Sequence, residues 1–152
     1  MIKVISRHQA AHFMGLDPYV LISITDPDSP DAALTNDPKR LVVLRQKFSD
    51  VGENIESHRI AWPGSPLIRF NEAHTKEIVD FVTNHKDLDI VVHCEAGISR
   101  SPAVAAAICN YINGPRSDAA YFKNYIPNSF IYNKLIVAFN NKQEQMKIAH
   151  SC

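Results

Sequence analysis

Cysteine, excess charge and long apolar runs are all scarce in this chain. Three cysteines in 152 residues are too few for a disulfide framework of the kind that staples small secreted domains, which leads us to expect a reducing, cytoplasmic setting. Lysine plus arginine and aspartate plus glutamate number sixteen each, so no basic surplus draws the protein to nucleic acid or to an anionic membrane. No apolar stretch is long enough to span a bilayer, and the opening MIKVISRHQAAHF lacks the apolar core of a signal peptide. Internal repeats and low-complexity segments are absent as well.

What is present is a hydrophobic content of 45%, enough for one globular domain with a sizeable core over residues 1–152. Short β-type runs, Ile2 to Ser6, Tyr19 to Thr25, Leu41 to Phe48 and Ile90 to Val92, alternate with helical patterns. Strands followed by helices predict an α/β fold, a mostly parallel central sheet flanked by helices. Asn71 is placed to cap a helix with Ile78, Phe81 and Val82 inward, ending near His85. A helix opening at Ser101-Pro102 should end near Asn113-Gly114-Pro115, where glycine can cap and proline prevents continuation. A short helix is expected over Asp118 to Tyr125. A last one, starting at Pro127-Asn128-Ser129 with Ile131, Leu135 and Phe139 inward, should fray in the polar NNKQEQMK tail from about residue 141.

The most informative stretch is DIVVHCEAGISRS, residues 89–101. A loop between a buried strand and a helix can turn its N–H groups inward as an anion cradle, to which the helix adds the positive end of its dipole. Gly97 allows the chain to bend there, and Pro102 lacks an N–H that would find no partner in a first helical turn. Cys94 would sit at the base of this cradle, where the dipole and Arg100 favour the nucleophilic thiolate. Arg100 supplies a planar fork able to hold two oxygens of a phosphoryl group. A departing oxygen needs a proton, and a carboxylic acid in the loop after the third strand, Ser49-Asp50-Val51-Gly52-Glu53, could give it. Asp50 is the first candidate, with Glu53 and Glu56 as rivals.

Other polar groupings read as structure. Asp26, Asp28 and Asp31 are interrupted by Pro27 and Pro30 and lack the terminal glutamate of a calcium loop, so turn formation is expected. His8 and His12 lack a third ligand, and a helix surface is the better reading. His74 and His85 are expected to face solvent. Cys109 lies about two helical turns beyond Ser101, at about 12 Å for a rise of about 1.5 Å per residue, too far for a disulfide with Cys94. Core packing is expected for it, while Cys152 carries no readable signal. Trp62, Pro63, Gly64 and Pro66 mark an irregular segment that could wall a cleft or simply pack as a loop.

His93-Cys94-Glu95-Ala96-Gly97-Ile98-Ser99-Arg100-Ser101 resembles the H-C-x5-R-S/T signature of cysteine-dependent protein tyrosine phosphatases, most nearly the compact dual-specificity branch. The resemblance implies a metal-independent, cofactor-free phosphomonoester hydrolase working through a cysteinyl-phosphate on a phosphorylated protein or small aryl phosphate. By the same resemblance the residues from Glu95 to Arg100 bind the phosphoryl group, Asp50 is the general acid, and His93 orients the nucleophile's backbone. Ser101 would ease thiolate departure in the second step, a plain N-cap being the alternative. Family members acting on polyphosphorylated inositol lipids tend to carry lysines in this loop, so Glu95, together with Ile98, implies a singly phosphorylated side chain. The stretch between Asp50 and Cys94 is longer than in typical members. Two rival readings follow from the same residues: a phosphate-reading binding module without turnover, and a rhodanese-like sulfur transferase.

Overall fold

The computed structural model describes residues 1–61, 63–64 and 66–150; Trp62, Ser65, Ser151 and Cys152 lie outside the described residues. The chain runs β1 (Ile2–Ser6), α1 (Arg7–Ala10), β2 (Tyr19–Thr25), β3 (Arg40–Lys47), α2 (Ile55–Ala61), α3 (Glu72–His85), β4 (Asp89–Cys94), α4 (Arg100–Asn113), α5 (Ala119–Asn124) and α6 (Ser129–His150).

The four strands form one sheet in the order β1-β4-β2-β3, and every pairing is parallel. Parallel neighbours need crossover connections, which is why each strand is followed by helix or long loop before the next. β2 and β4 are the central strands, and all seven residues of β2 are buried. Their side chains divide by the two-residue period of a strand. Val20, Ile22, Ile24, Ile90, Val92 and Cys94 enter the larger core with α3, α4 and α6. Tyr19, Leu21 and Val91 face a smaller cluster closed by Ala10 of α1, Phe13, Leu34 and Val43. The three long helices therefore share one face, and a single turn of helix with loop segments covers the other.

Helix limits follow local chemistry. Asn71 Oδ1 accepts from the N–H groups of Ala73 and His74 at 2.9 and 3.3 Å, and His74 Nδ1 accepts from Asn71 N–H at 3.1 Å, satisfying donors that the first turn leaves open. Thr75, Ile78, Val79 and Val82 form the buried stripe of α3, with Phe81 packed at its edge. In α4, Ala103 to Ile108 are wholly enclosed; small side chains let this helix approach the sheet and α6 together. Gly114, at φ +95°, ends it, donating to Asn110 O at 3.0 Å.

Four expectations are corrected. Helix α6 continues to His150 rather than fraying from about residue 141, with Gln143 Nε2 donating to Tyr111 O at 3.4 Å and Tyr111 OH to Met146 Sδ at 3.9 Å. Residues 55–61, within the long stretch between Asp50 and Cys94, form α2. His74 does not face solvent: it is half-buried, stacked on Phe70 and tilted against Phe48, and burial lowers its pKa from the ordinary value. His85 is likewise half-buried, its Nδ1 at 2.7 Å from Phe81 O. His8 and His12 meet edge to face with ring centroids 5.4 Å apart, but α1 ends at Ala10, so they do not share a helix surface. Cys94 and Cys109 are both free thiols, and Cys109 is buried, donating toward Ser117 O at 3.4 Å.

Candidate active site

The carboxyl ends of the parallel strands gather the site, as the geometry of an open parallel sheet dictates. Cys94 is the last residue of β4, opposite Ser6 of β1, and α4 begins at Arg100. Residues 95–99 make the turn between them. It needs glycine at one point: Gly97 has φ +73°, and a Cβ there would lie 3.1 Å from Ile5 C, Ile5 O and Ser6 N. Only the residue without that atom fits.

The outer edge of the loop is tied down by its carbonyls. Glu95 O accepts from Arg7 N–H at 3.0 Å, Ile98 O from Ile126 N–H at 3.1 Å, and Ser99 O from Asn128 N–H at 3.1 Å and Ala103 N–H at 3.2 Å. Across a trans peptide C=O and N–H point in opposite directions, so the N–H groups of Ala96, Ser99 and Arg100 turn away from those partners. That is the orientation an inward-facing anion cradle requires. Gly97 N–H already points to Cys94 Sγ at 3.3 Å.

Cys94 is 3% exposed, yet it is not enclosed by hydrocarbon alone. Ser101 Oγ lies 3.1 Å from its Sγ. Ser99, not Ser101, is the N-cap residue of α4, and it makes no side-chain capping bond; the N-cap alternative for Ser101 is therefore excluded. His93 is fully buried, with Nε2 2.6 Å from Ser23 Oγ and Nδ1 3.2 Å from Cys94 O. Burial pushes its pKa below the ordinary histidine value.

Arg100 is buried, and its Nη1 donates to Asp26 Oδ1 at 2.7 Å and to Phe48 O at 2.9 Å. Nε and Nη2 have no partner among the described residues. Asp26 was expected only to form a turn. Its carbonyl does accept from Ser29 N–H at 3.1 Å, but its carboxylate orients the guanidinium. The signal available was position: Asp26 directly follows β2, whose parallel pairing with β4 puts their carboxyl ends side by side. Asp31 also takes cationic neighbours, Lys47 at 3.5 Å and Arg45 at 3.8 Å.

Asp50 stands two residues beyond the carbonyl that holds Arg100. It is exposed, and its Oδ1 accepts from Ser99 Oγ at 2.9 Å and Asn128 Nδ2 at 2.9 Å. The rivals are placed elsewhere: Glu56 pairs with Arg59 at 3.0 Å, and Glu53 lines a groove with Phe130, Lys134 and Val137 of α6. Glu95 turns outward, where Arg7 Nη1 meets its Oε1 at 2.9 Å. The same guanidinium reaches Ser29 Oγ and Pro30 O, each at 2.9 Å, fastening the segment after β2 to the loop. With Arg7 beside it, the repulsion expected from Glu95 toward additional phosphates is reduced. Ile98 is half exposed on the rim. Trp62, a candidate wall of the cleft, lies outside the described residues. Among the described residues no group of three or more His, Cys, Asp or Glu could hold a metal ion, and no helix is long and apolar enough to cross a membrane.

No protein-family model matches the sequence, and no curated protein does. Solved structures do match. The chain is similar to human DUSP28 (16% identity, 95% of this chain and 94% of that one, TM-score 0.51) and to DUSP15 (19%, 86% and 78%, TM-score 0.51). It is also similar to the human tyrosine phosphatase-like serine/threonine/tyrosine-interacting protein (18%, 87% and 80%, TM-score 0.50). At these identities the likeness is one of fold, and the chain has the compact dual-specificity-phosphatase-like α/β fold.

Proposed function

We propose that this protein is a phosphomonoester hydrolase of the tyrosine or dual-specificity phosphatase type, acting without a metal on a phosphorylated protein or small aryl phosphate in the cytoplasm. The observation that carries the reading is Cys94 Sγ at the carboxyl end of β4, with Ser101 Oγ at 3.1 Å and Gly97 N–H at 3.3 Å. A buried structural cysteine has no need of this polar setting, directly before the helix that opens with Arg100.

The reaction has two steps. Cys94 thiolate attacks phosphorus, forming the S–P bond as the bond to the leaving oxygen breaks, and Asp50 delivers its proton to that oxygen. Water then attacks the cysteinyl-phosphate, giving a proton to Asp50 while the S–P pair returns to sulfur, where Ser101 Oγ donates to the departing thiolate. Arg100 and the N–H groups of the loop oppose the charge on the transferring oxygens, and being fixed beforehand they need no reorganisation at that moment. Asp26 and Phe48 O hold the guanidinium plane. His93 fixes the backbone of Cys94 and transfers no proton.

Hydrolysis of an aryl phosphate in EDTA tests the reading. Cys94→Ser is expected to abolish turnover while still binding a phosphotyrosine peptide, and Asp50→Asn to lose on the order of 10²-fold or more. Undiminished turnover by Cys94→Ser would end the mechanism. A wild type that binds vanadate without turnover would make the protein a phosphate-reading module, and thiosulfate-to-cyanide transfer would make it a sulfur transferase.

A further inference from the structure

The segment between α5 and α6 drew no functional expectation from sequence beyond starting a helix, yet it lies against the site. Its backbone meets the loop twice, through Ile126 N–H to Ile98 O and Asn128 N–H to Ser99 O, each at 3.1 Å. Asn128 then uses both ends of its amide. Oδ1 accepts from Ile131 N–H at 3.1 Å, while Nδ2 donates to Asp50 Oδ1 at 2.9 Å and to Val51 O at 3.1 Å. The amide orientation is not ambiguous, because Ile131 N–H can only donate and Val51 O can only accept; a flipped amide would lose all three bonds.

Capping α6 requires only an acceptor, which serine, threonine or aspartate would supply as well. Asparagine adds an amide donor that reaches the acid loop. Ser99 Oγ donates to the same Asp50 oxygen at 2.9 Å. An oxygen that faces two donors is poorly placed to carry a proton itself, so when Asp50 is protonated the hydrogen resides on Oδ2. Oδ2 has no partner among the described residues.

Resting on the phosphatase reading, we propose that Asn128, together with Ser99, is the positioning residue of the general acid, clamping Asp50 Oδ1 so that Oδ2 delivers the proton to the leaving oxygen. The clamp joins three parts of the molecule at one side chain: the phosphate loop, the acid loop and the first turn of α6. Asn128 acts only through Asp50, so its contribution depends on whether the leaving group needs a proton.

That dependence is the test. Asn128→Ser keeps a helix cap and removes the donor to Asp50. On phenyl phosphate, whose phenolate needs protonation, kcat is expected to fall about 10- to 100-fold, in line with the sensitivity of positioned groups to displacement. On 2,4-dinitrophenyl phosphate, whose leaving group departs unprotonated, the loss should be much smaller. Asp50→Asn/Asn128→Ser should be no slower than Asp50→Asn alone, since residues acting as a unit are not additive. Ser99→Ala removes the second donor without touching the cap of α6 and should show the same substrate dependence, which keeps the test sound if Asn128→Ser folds poorly. Equal losses on both substrates, or additive losses in the double variant, would overturn the clamp while leaving an active wild type as a phosphatase. A wild type silent on both substrates would overturn the phosphatase reading and this inference with it.

Discussion

His93 shows how one residue's surroundings settle its chemistry. A carbonyl oxygen can only accept, so Nδ1 carries the hydrogen toward Cys94 O, and Nε2 accepts from Ser23 Oγ. The neutral ring fits this enclosure, where burial lowers its pKa from 6.5. His74 shifts in the same direction for the same first cause. Between the lowered folded value and the unfolded 6.5, the unfolded chain binds a proton that the folded chain refuses, so stability rises with pH through that window and is lost as pH falls through it. Urea unfolding at stepped pH should show the slope from these histidines fading out above pH 6.5 and a decline in stability below it. The decline should be shallower in His93→Gln. An unchanged slope in that variant would assign the acid sensitivity to other groups.

At the scale of elements, the loop between β4 and α4 depends on Gly97 for a reason that is geometric rather than chemical. Gly97→Ala would place a Cβ 3.1 Å from the backbone of Ile5 and Ser6 at φ +73°, where an L-residue also bears about 1–2 kcal/mol of conformational strain. The expected outcome is a folded protein with weakened vanadate binding and reduced turnover, because relief of the contact must move the loop off β1. Tight vanadate binding by Gly97→Ala would show that the loop can shift without losing its cradle. The placement of Cys94, Gly97 and Arg100 on one strand-to-helix turn was legible in sequence because it is local: residue types at short spacing fix it. The strands and most helices were legible for a similar reason, since burial on both faces makes Tyr19 to Thr25 a short, nearly continuous apolar run, and Asn71 and Gly114 mark helix limits. Asp26 and Asn128 were not legible. Each looks like an ordinary turn or cap residue, and its second use exists only because the parallel pairing of β2 with β4, and the return of the chain at residues 126–128, bring distant positions together. Arg7 belongs with them, lying 88 residues from the glutamate it meets.

The whole molecule is held by α6 on the helical face of the sheet, and its two halves do this unequally. Ile131, Leu135 and Phe139 are buried in the larger core, and Phe139 stacks on Tyr111 with centroids 4.6 Å apart. Beyond residue 140 the helix keeps its form but touches the body through Gln143 and Met146, while the Glu144–Lys147 pair is exposed. An exposed pair of this kind contributes about 0–1 kcal/mol. Removing the Phe139 ring leaves a cavity as well as losing buried apolar area, at about 3–5 kcal/mol, against a total stability of about 5–15 kcal/mol for a domain of this kind. Phe139→Ala should therefore shift the urea midpoint strongly downward, whereas a chain ending at Asn140 should lose much less. Because Asn128 begins the same helix, the two variants also differ at the site: loosening α6 at Phe139 should lower turnover before global unfolding, and trimming the tail should not. A truncation as damaging as Phe139→Ala, measured by urea unfolding and by aryl phosphate turnover on the same samples, would show that the polar end of α6 carries packing these contacts do not account for.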